Sequence, residues 1–315
     1  MSFQIIEGLS ESEWLQKRAR NINSTETAAL FSASKWSTEF ELFHNKKSGD
    51  VLTLPANKRM TAGQILEPAI ANLALLEIGG DGLPFKDYAE DFDARIGSSF
   101  DWYIENGKYQ DWLLEIKNVD FMIYRDEWES DEAPVHIEIQ VQHQLMARPA
   151  SPGTIIAALV GGNELKIIPR PRNDEMIEVI RNRIAKFWDD IDNDNEPVPD
   201  FQRDAEFIIS LHQSAGFEPL YALENREINE AFGNYYEKNE QKKRLEKELK
   251  ADKALIFEMI GDDYNKVIAD DGLSLSCGMV KTTEPTLITP EMVGQTYGGR
   301  KGSRMFRLNK KKTSK

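Results

Sequence analysis

Cysteine is almost absent from this chain: Cys277 is the only one in 315 residues. That excludes an internal disulfide framework and a cysteine-rich zinc site. No run approaches the roughly 18 uncharged apolar residues that a membrane-spanning helix needs, so no membrane partner is expected. The opening "MSFQIIEGLSESEW" has neither a basic start nor an apolar stretch, so no secretory signal is expected either. Internal repeats and low-complexity tracts are lacking. Histidine is scarce, and without neighbouring cysteine His136 and His143 do not suggest a metal pair. His44, His136, His143 and His212 are expected at the surface, and Cys277 as a partly buried side chain. These absences predict an intracellular, cytoplasmic protein.

What is present is ordinary for a globular chain: 40 % hydrophobic and 29 % charged residues, with a net charge of −14. The charge is unevenly spread. Arg300 to Lys315 holds eight lysines or arginines and no acid, so the remainder is more acidic than the total suggests. A negative total argues at first against a nucleic-acid partner.

"SESEWLQKRARN" opens a helix on a capping box, Ser10 with Glu13. "STETAALFSASKW" predicts a second short helix capped by Ser24 or Thr25. Residues 62–78 predict an apolar helix, in which Pro68 is tolerated only in the first turn. "FKDYAEDFDARIGSSFDWYIE" and "DWLLEIKNVDF" read as antiparallel strands around the turn signal "NGK". "VHIEIQVQHQLMA" alternates like a strand. "GTIIAALVGG" and "ELKIIPRP" predict a strand pair, and residues 173–192 an amphipathic helix. The acidic "DDIDNDNEPVPD" marks a boundary between a core, 1–199, and an extension, 200–315. That extension is expected to hold a helix over 201–214, a long charged helix over 224–260, two or three strands and the basic tail.

The chemically informative stretch is "DWLLEIKN". Glu115 and Lys117 alternate with Leu114 and Ile116, and Asp101 lies one hairpin earlier. Two carboxylates on adjacent strands repel unless a cation sits between them. Mg²⁺ accepts two or three acids plus the Ile116 carbonyl and keeps several waters. Lys117 on the same face can orient or deprotonate a water and offset charge on a phosphate. Taken alone, the same pattern is also what a solvated strand face with an ion pair shows.

Further segments in order give the pattern a context. "SSFDWYIENGKYQDWLLEIK" resembles the PD-(D/E)-x-K nuclease motif, and its setting resembles the lambda exonuclease and YqaJ viral recombinase family. The shared elements are Trp14 with Arg18, Thr25 with Glu26, and "SKW" from Ser34 to Trp36. They continue through Gly63 to Glu67, Ser99 and Asp101, Glu115 to Lys117, and Gln140, Gln142 and Met146. The resemblance covers roughly residues 10–200. It implies an α/β (α+β), restriction-endonuclease-like core with a central mixed sheet flanked by helices, followed by a C-terminal helical and small β extension.

The resemblance also implies roles. Glu67, Asp101 and Glu115, with the Ile116 carbonyl, would hold Mg²⁺ (Mn²⁺ as a substitute), Lys117 would position water, and Gln140 would steady the nucleophile or scissile phosphate. Arg18, Thr25 and Ser99 would capture a 5′-phosphate, with Lys35 beside them on the DNA. The implied partners are double-stranded DNA ends, further copies of the chain in a trimeric ring, and a single-strand annealing protein, in a phage- or prophage-encoded bacterial setting. The basic tail then reads as a nonspecific DNA-backbone contact. Two departures stand out: Phe100 replaces the family's turn proline, a change of backbone shape that activity is expected to survive, and Ile137 replaces a tyrosine. Following the family, 135–146 is expected to be a helix despite its alternation.

Overall fold

The computed structural model describes residues 3–51, 58–128, 132–212, 225–280 and 307–309. The chain divides into two compact units, 1–215 and 216–315.

The first unit opens with β1 (Gln4–Ile6) and α1 (Glu11–Arg20). The capping box forms as the sequence predicts, the Glu13 amide donating to Ser10 Oγ and the Ser10 amide to Glu13 Oε2. After β2 (Ile22–Asn23) the expected second helix is a 3₁₀ turn, Thr27–Phe31, entered from Glu26 without a side-chain cap. Tertiary bonds replace the cap: Glu26 Oε2 accepts from Asn23, and the buried Lys46 donates to Glu26 Oε1. Helix α2 (Glu39–Ser48) is capped by Thr38, which accepts from the Glu41 amide.

Helix α3 (Lys58–Ile78) starts earlier than expected, so Pro68 sits in its interior rather than its first turn. An internal proline removes a hydrogen bond and strains the helix, at about 3 kcal/mol. The segment after Pro68 compensates by burying Ile70, Ala71, Ala74 and Leu75, while the segment before it stays largely exposed.

Four strands follow: β3 (Gly82–Pro84), β4 (Tyr88–Asp91), β5 (Ile96–Ser98) and β6 (Trp102–Ile104). The stretch that reads as one strand region is thus broken, with Arg95 at φ +52 turning the chain between β4 and β5. β7 (Leu113–Val119) pairs antiparallel with β6 across the predicted turn. Gly107 in that turn has φ +89, and a Cβ there would lie 2.8 Å from the Gly79 carbonyl, so only glycine fits.

Helices α4 (Phe121–Glu127) and α5 (Val135–Ala147) carry the chain over to β8 (Gly153–Val160), parallel to β7. β9 (Glu164–Pro171) returns antiparallel, and α6 (Asp174–Asp192) and α7 (Ala205–Leu211) follow. The result is a mixed five-stranded sheet, β3-β6-β7-β8-β9, beside a four-stranded sheet, β1-β4-β5-β2. Helix α3 covers one face of the larger sheet through Ile70, Leu75, Leu114 and Ile116. On the other, Leu113 packs with Ile139 and Leu145 of α5 and with Ile180 and Phe187 of α6.

The segment 135–147 is a helix, as the resemblance implies and its alternation does not. Ten of its thirteen residues are buried, Ile139 and Leu145 in one apolar cluster and Ile137 and Val141 in another. A helix enclosed on nearly every side has no polar stripe to reveal its 3.6-residue period.

The second unit contains α8 (Arg226–Ile260), with no buried residue, and a three-stranded antiparallel sheet of β10 (Lys266–Ile268), β11 (Ser274–Ser276) and β12 (Arg307–Asn309). Cys277 is fully rather than partly buried. Most of the basic tail lies outside the described residues. Among the described residues no helix is long and apolar enough to cross a membrane.

Candidate active site

Strand periodicity builds the site. Along β7, Leu114 and Ile116 face α3, so Glu115 and Lys117 point to the opposite side, toward α5. Trp102 pairs with Leu114, which sets Asp101, just before β6, opposite Glu115. Asp101 Oδ2 accepts from the Ile116 amide at 2.8 Å, fixing the acid to the neighbouring strand.

Glu115 is 3 % exposed and holds three donors. Lys117 Nζ lies 2.5 Å and Gln140 Nε2 2.7 Å from Oε1, and Gln144 Nε2 lies 2.7 Å from Oε2. Lys117 also donates to Gln140 Oε1 at 3.2 Å. Gln144 is the residue the sequence reading missed. Its signal was present: it stands four residues after Gln140, so once 135–147 is a helix the two share a face. Its second donor bond reaches the Ser99 carbonyl at 3.3 Å, while its Oε1 is buried with no partner among the described residues. Gln142, the other half of the expected pair, binds the Pro171 carbonyl and the Asn173 amide instead, fastening the turn into α6.

Charge is unbalanced here. Burial and the nearby Glu115 push Asp101 well above the usual carboxylate range, outweighing Lys117 and the Ile116 amide. Burial pulls Lys117 down, but Glu115 and Asp101 together hold it above its ordinary value, so it is an ammonium at neutral pH. Burial also raises Glu67, the Trp102 indole opposes that, and the Glu115 charge adds to it. Even so, among the described residues no three acidic, histidine or cysteine side chains converge tightly enough to hold a metal ion.

The donor set still suits a hard cation. Two acids face each other with too little positive charge, and the orphaned Gln144 carbonyl beside them lacks a donor that a cation's water can supply.

A second cluster adjoins the first. Arg18 Nη2 donates to Thr25 Oγ1 at 3.3 Å, and its guanidinium lies 4.8 Å from the centre of the Trp14 ring. Trp14 Nε1 donates to Ser99 Oγ at 2.9 Å, so Arg18, Thr25 and Ser99 are joined through Trp14. Lys35 stands apart from them, paired with Glu127 at 2.5 Å. Phe100 is more than a backbone element, since its ring is buried in the core against Phe85. Ile137, in the tyrosine's place, is likewise buried.

His143 is fully buried, not at the surface. Its Nε2 lies 3.0 Å from the Gly97 carbonyl, which can only accept, so Nδ1 accepts from the Thr27 hydroxyl at 2.7 Å. Burial holds its pKa down at about 4. It ties α5 to β5 and the 3₁₀ turn behind the site.

A mixed sheet flanked by helices, with Glu115 and Lys117 on β7 and Asp101 just before its partner β6, is a mixed α/β arrangement consistent with the fold that the sequence resemblance implies. Residues 13–148 match the YqaJ-like viral recombinase domain. The uncharacterized protein YqaJ of Bacillus subtilis (strain 168) is 25 % identical over 198 residues, which cover 58 % of this chain and 56 % of that relative. The chain therefore spans little more than half of that protein's length. A crystal structure of an alkaline exonuclease from Laribacter hongkongensis is 18 % identical, with a TM-score of 0.48, over 62 % of this chain and 99 % of that one. The same protein in complex with dAMP matches to the same extent.

Proposed function

We propose that the chain is a Mg²⁺-dependent deoxyribonuclease, a 5′→3′ exonuclease acting on double-stranded DNA ends. The observation that carries this reading is the link between the two clusters. Ser99 accepts from Trp14 through its hydroxyl and from Gln144 through its carbonyl, and Gln144 holds Glu115. A guanidinium with two hydroxyl groups suits a terminal phosphate, and it stands one turn of chain from the acids that would serve hydrolysis.

Asp101 and Glu115, with the Ile116 carbonyl and Glu67 nearby, would hold Mg²⁺, with Mn²⁺ as a substitute. Bound there, the cation would polarise the scissile phosphate and lower the pKa of a water. Lys117, as an ammonium, donates to the phosphate or orients the attacking water; its raised pKa does not suit it to take a proton. Gln140 keeps Lys117 and Glu115 in register through its two bonds.

The viral recombinase family match supports a setting in phage-type recombination, in the cytoplasm of a bacterial host, beside a single-strand annealing protein. A ring of copies with a basic channel would reconcile the net charge of −14 with DNA. On this reading 1–199 is the nuclease core, and 200–315 serves assembly, DNA contact or partner docking.

A second reading, a catalytically silent DNA-binding protein, draws on the saturation of Glu115 by three protein donors. Linear duplex DNA with a 5′-phosphate or a 5′-hydroxyl, and closed-circular DNA, distinguish the readings. Strand loss from the phosphorylated end in Mg²⁺ supports the exonuclease. Cleavage of circles makes the protein an endonuclease, and binding without cleavage in Mg²⁺ or Mn²⁺ leaves the silent reading.

A further inference from the structure

We propose that Trp36, backed by His136, is a stacking platform for an unpaired nucleobase beside the candidate active site. The inference rests on the nuclease reading and adds a contact that phosphate recognition does not supply.

Trp36 is 75 % exposed, yet its backbone is firmly held. Ser34 Oγ accepts from the amides of Trp36 and Ser37, both at 3.2 Å. Arg203 Nη2 donates to the carbonyl of Ser34 at 2.5 Å and to that of Ser37 at 3.4 Å. Thr38 then starts α2 directly. A large apolar ring held in water on a pinned turn contributes little to the core and offers a preorganised face to a ligand.

Among the described residues the ring has one aromatic neighbour, His136, edge to face with centroids 5.1 Å apart. His136 lies on α5 one turn before Gln140, which puts it on the helix face that carries Gln140 and Gln144 to Glu115. Burial first, then the charges of Lys35 and Lys117, lower its pKa. Trp36 is thus joined by a single ring contact to the helix that lines the acids. Lys35 beside it is already neutralised by Glu127, so stacking rather than charge is the interaction this corner offers. Every base has a π-face, so such a platform takes any sequence. A single indole face matches the size of one base, and a DNA-end binder offers such a base, which is the occupant this corner is assigned.

The test measures binding by fluorescence anisotropy for wild type, Trp36→Ala and Trp36→Phe. The ligands are a blunt duplex and a duplex with a short single-stranded overhang, in Ca²⁺ and in EDTA. Trp36→Ala is expected to weaken overhang binding about tenfold, within the usual range for one lost base stack. Trp36→Phe should stay within about threefold of wild type. The slope of log affinity against log salt should not change, because no cation is removed. Thermal melting should be unaffected, and if Trp36→Ala melts early, Trp36→Phe and quenching of a terminal 2-aminopurine carry the comparison. Wild-type cleavage and binding with Trp36→Ala indistinguishable from it overturns the platform alone. A wild type that neither binds nor cuts DNA overturns the platform together with the nuclease reading.

Discussion

Acidification should unfold this protein partly through one buried imidazole. His143 is fully buried, bonded on both ring nitrogens and held neutral down to about pH 4. In the unfolded chain it titrates near 6.5. Because the folded value is the lower one, its contribution to stability is complete above about pH 6.5 and is lost as pH falls toward 4. Linkage over that window gives a loss of about 2 kcal/mol at pH 5 and about 3 kcal/mol at pH 4, relative to pH 7.5. Urea unfolding at pH 7.5 and pH 5 measures it. His143→Gln should be less stable than wild type at both pH values, but its own loss between them should be smaller by about 2 kcal/mol. An NMR titration reports the imidazole directly. A native pKa near 6.5, or an equal pH loss in the variant, would refute the reasoning.

Other expectations concern the site. Asp101→Asn removes the acid raised by burial and by Glu115. It should raise the melting temperature without cation by about 2–4 °C, for about 1 kcal/mol, and abolish any stabilisation by Mg²⁺. Gln144→Met deletes one donor to a buried carboxylate, a bond worth about 1.5–3 kcal/mol. Loss of the orphaned Oε1 offsets part of that, so activity should fall more than stability in paired rate and melting measurements. Arg18→Ala should erase the difference between 5′-phosphorylated and 5′-hydroxyl ends in initial degradation rates, by about tenfold or more, while rates on 5′-hydroxyl ends stay near wild type.

Much of this architecture was readable because local patterns met ordinary environments. β7 is covered on one face by α3 and carries its charges on the other, so a period of two survived in the sequence. β8, β9 and α6 likewise follow their predicted limits closely, and α8 shows as a long charged helix because none of its residues is buried among the described residues. The failures are tertiary. α5 is enclosed by two apolar clusters, so its alternation is an accident of a helix buried all round. Pro68 was misjudged because packing after it sustains a helix that propensity would break. Of the site, Glu115 and Lys117 could be placed on one face from spacing alone, with Asp101 one hairpin earlier. Gln144 could not be singled out before the helix was known, since one glutamine among three carries no mark of its partner. Trp14 reached Ser99 only through folding, across 85 residues of sequence.

The most direct measurement of the central claim compares wild type with Lys117→Ala on 5′-phosphorylated linear duplex DNA, in Mg²⁺ and in EDTA. The account predicts loss of the phosphorylated strand by wild type in Mg²⁺ alone, and a fall of at least a hundredfold in the variant with its melting temperature nearly unchanged. Equal degradation by the two proteins, or none by wild type in either Mg²⁺ or Mn²⁺, would contradict it and return Glu115 and Lys117 to a structural ion pair.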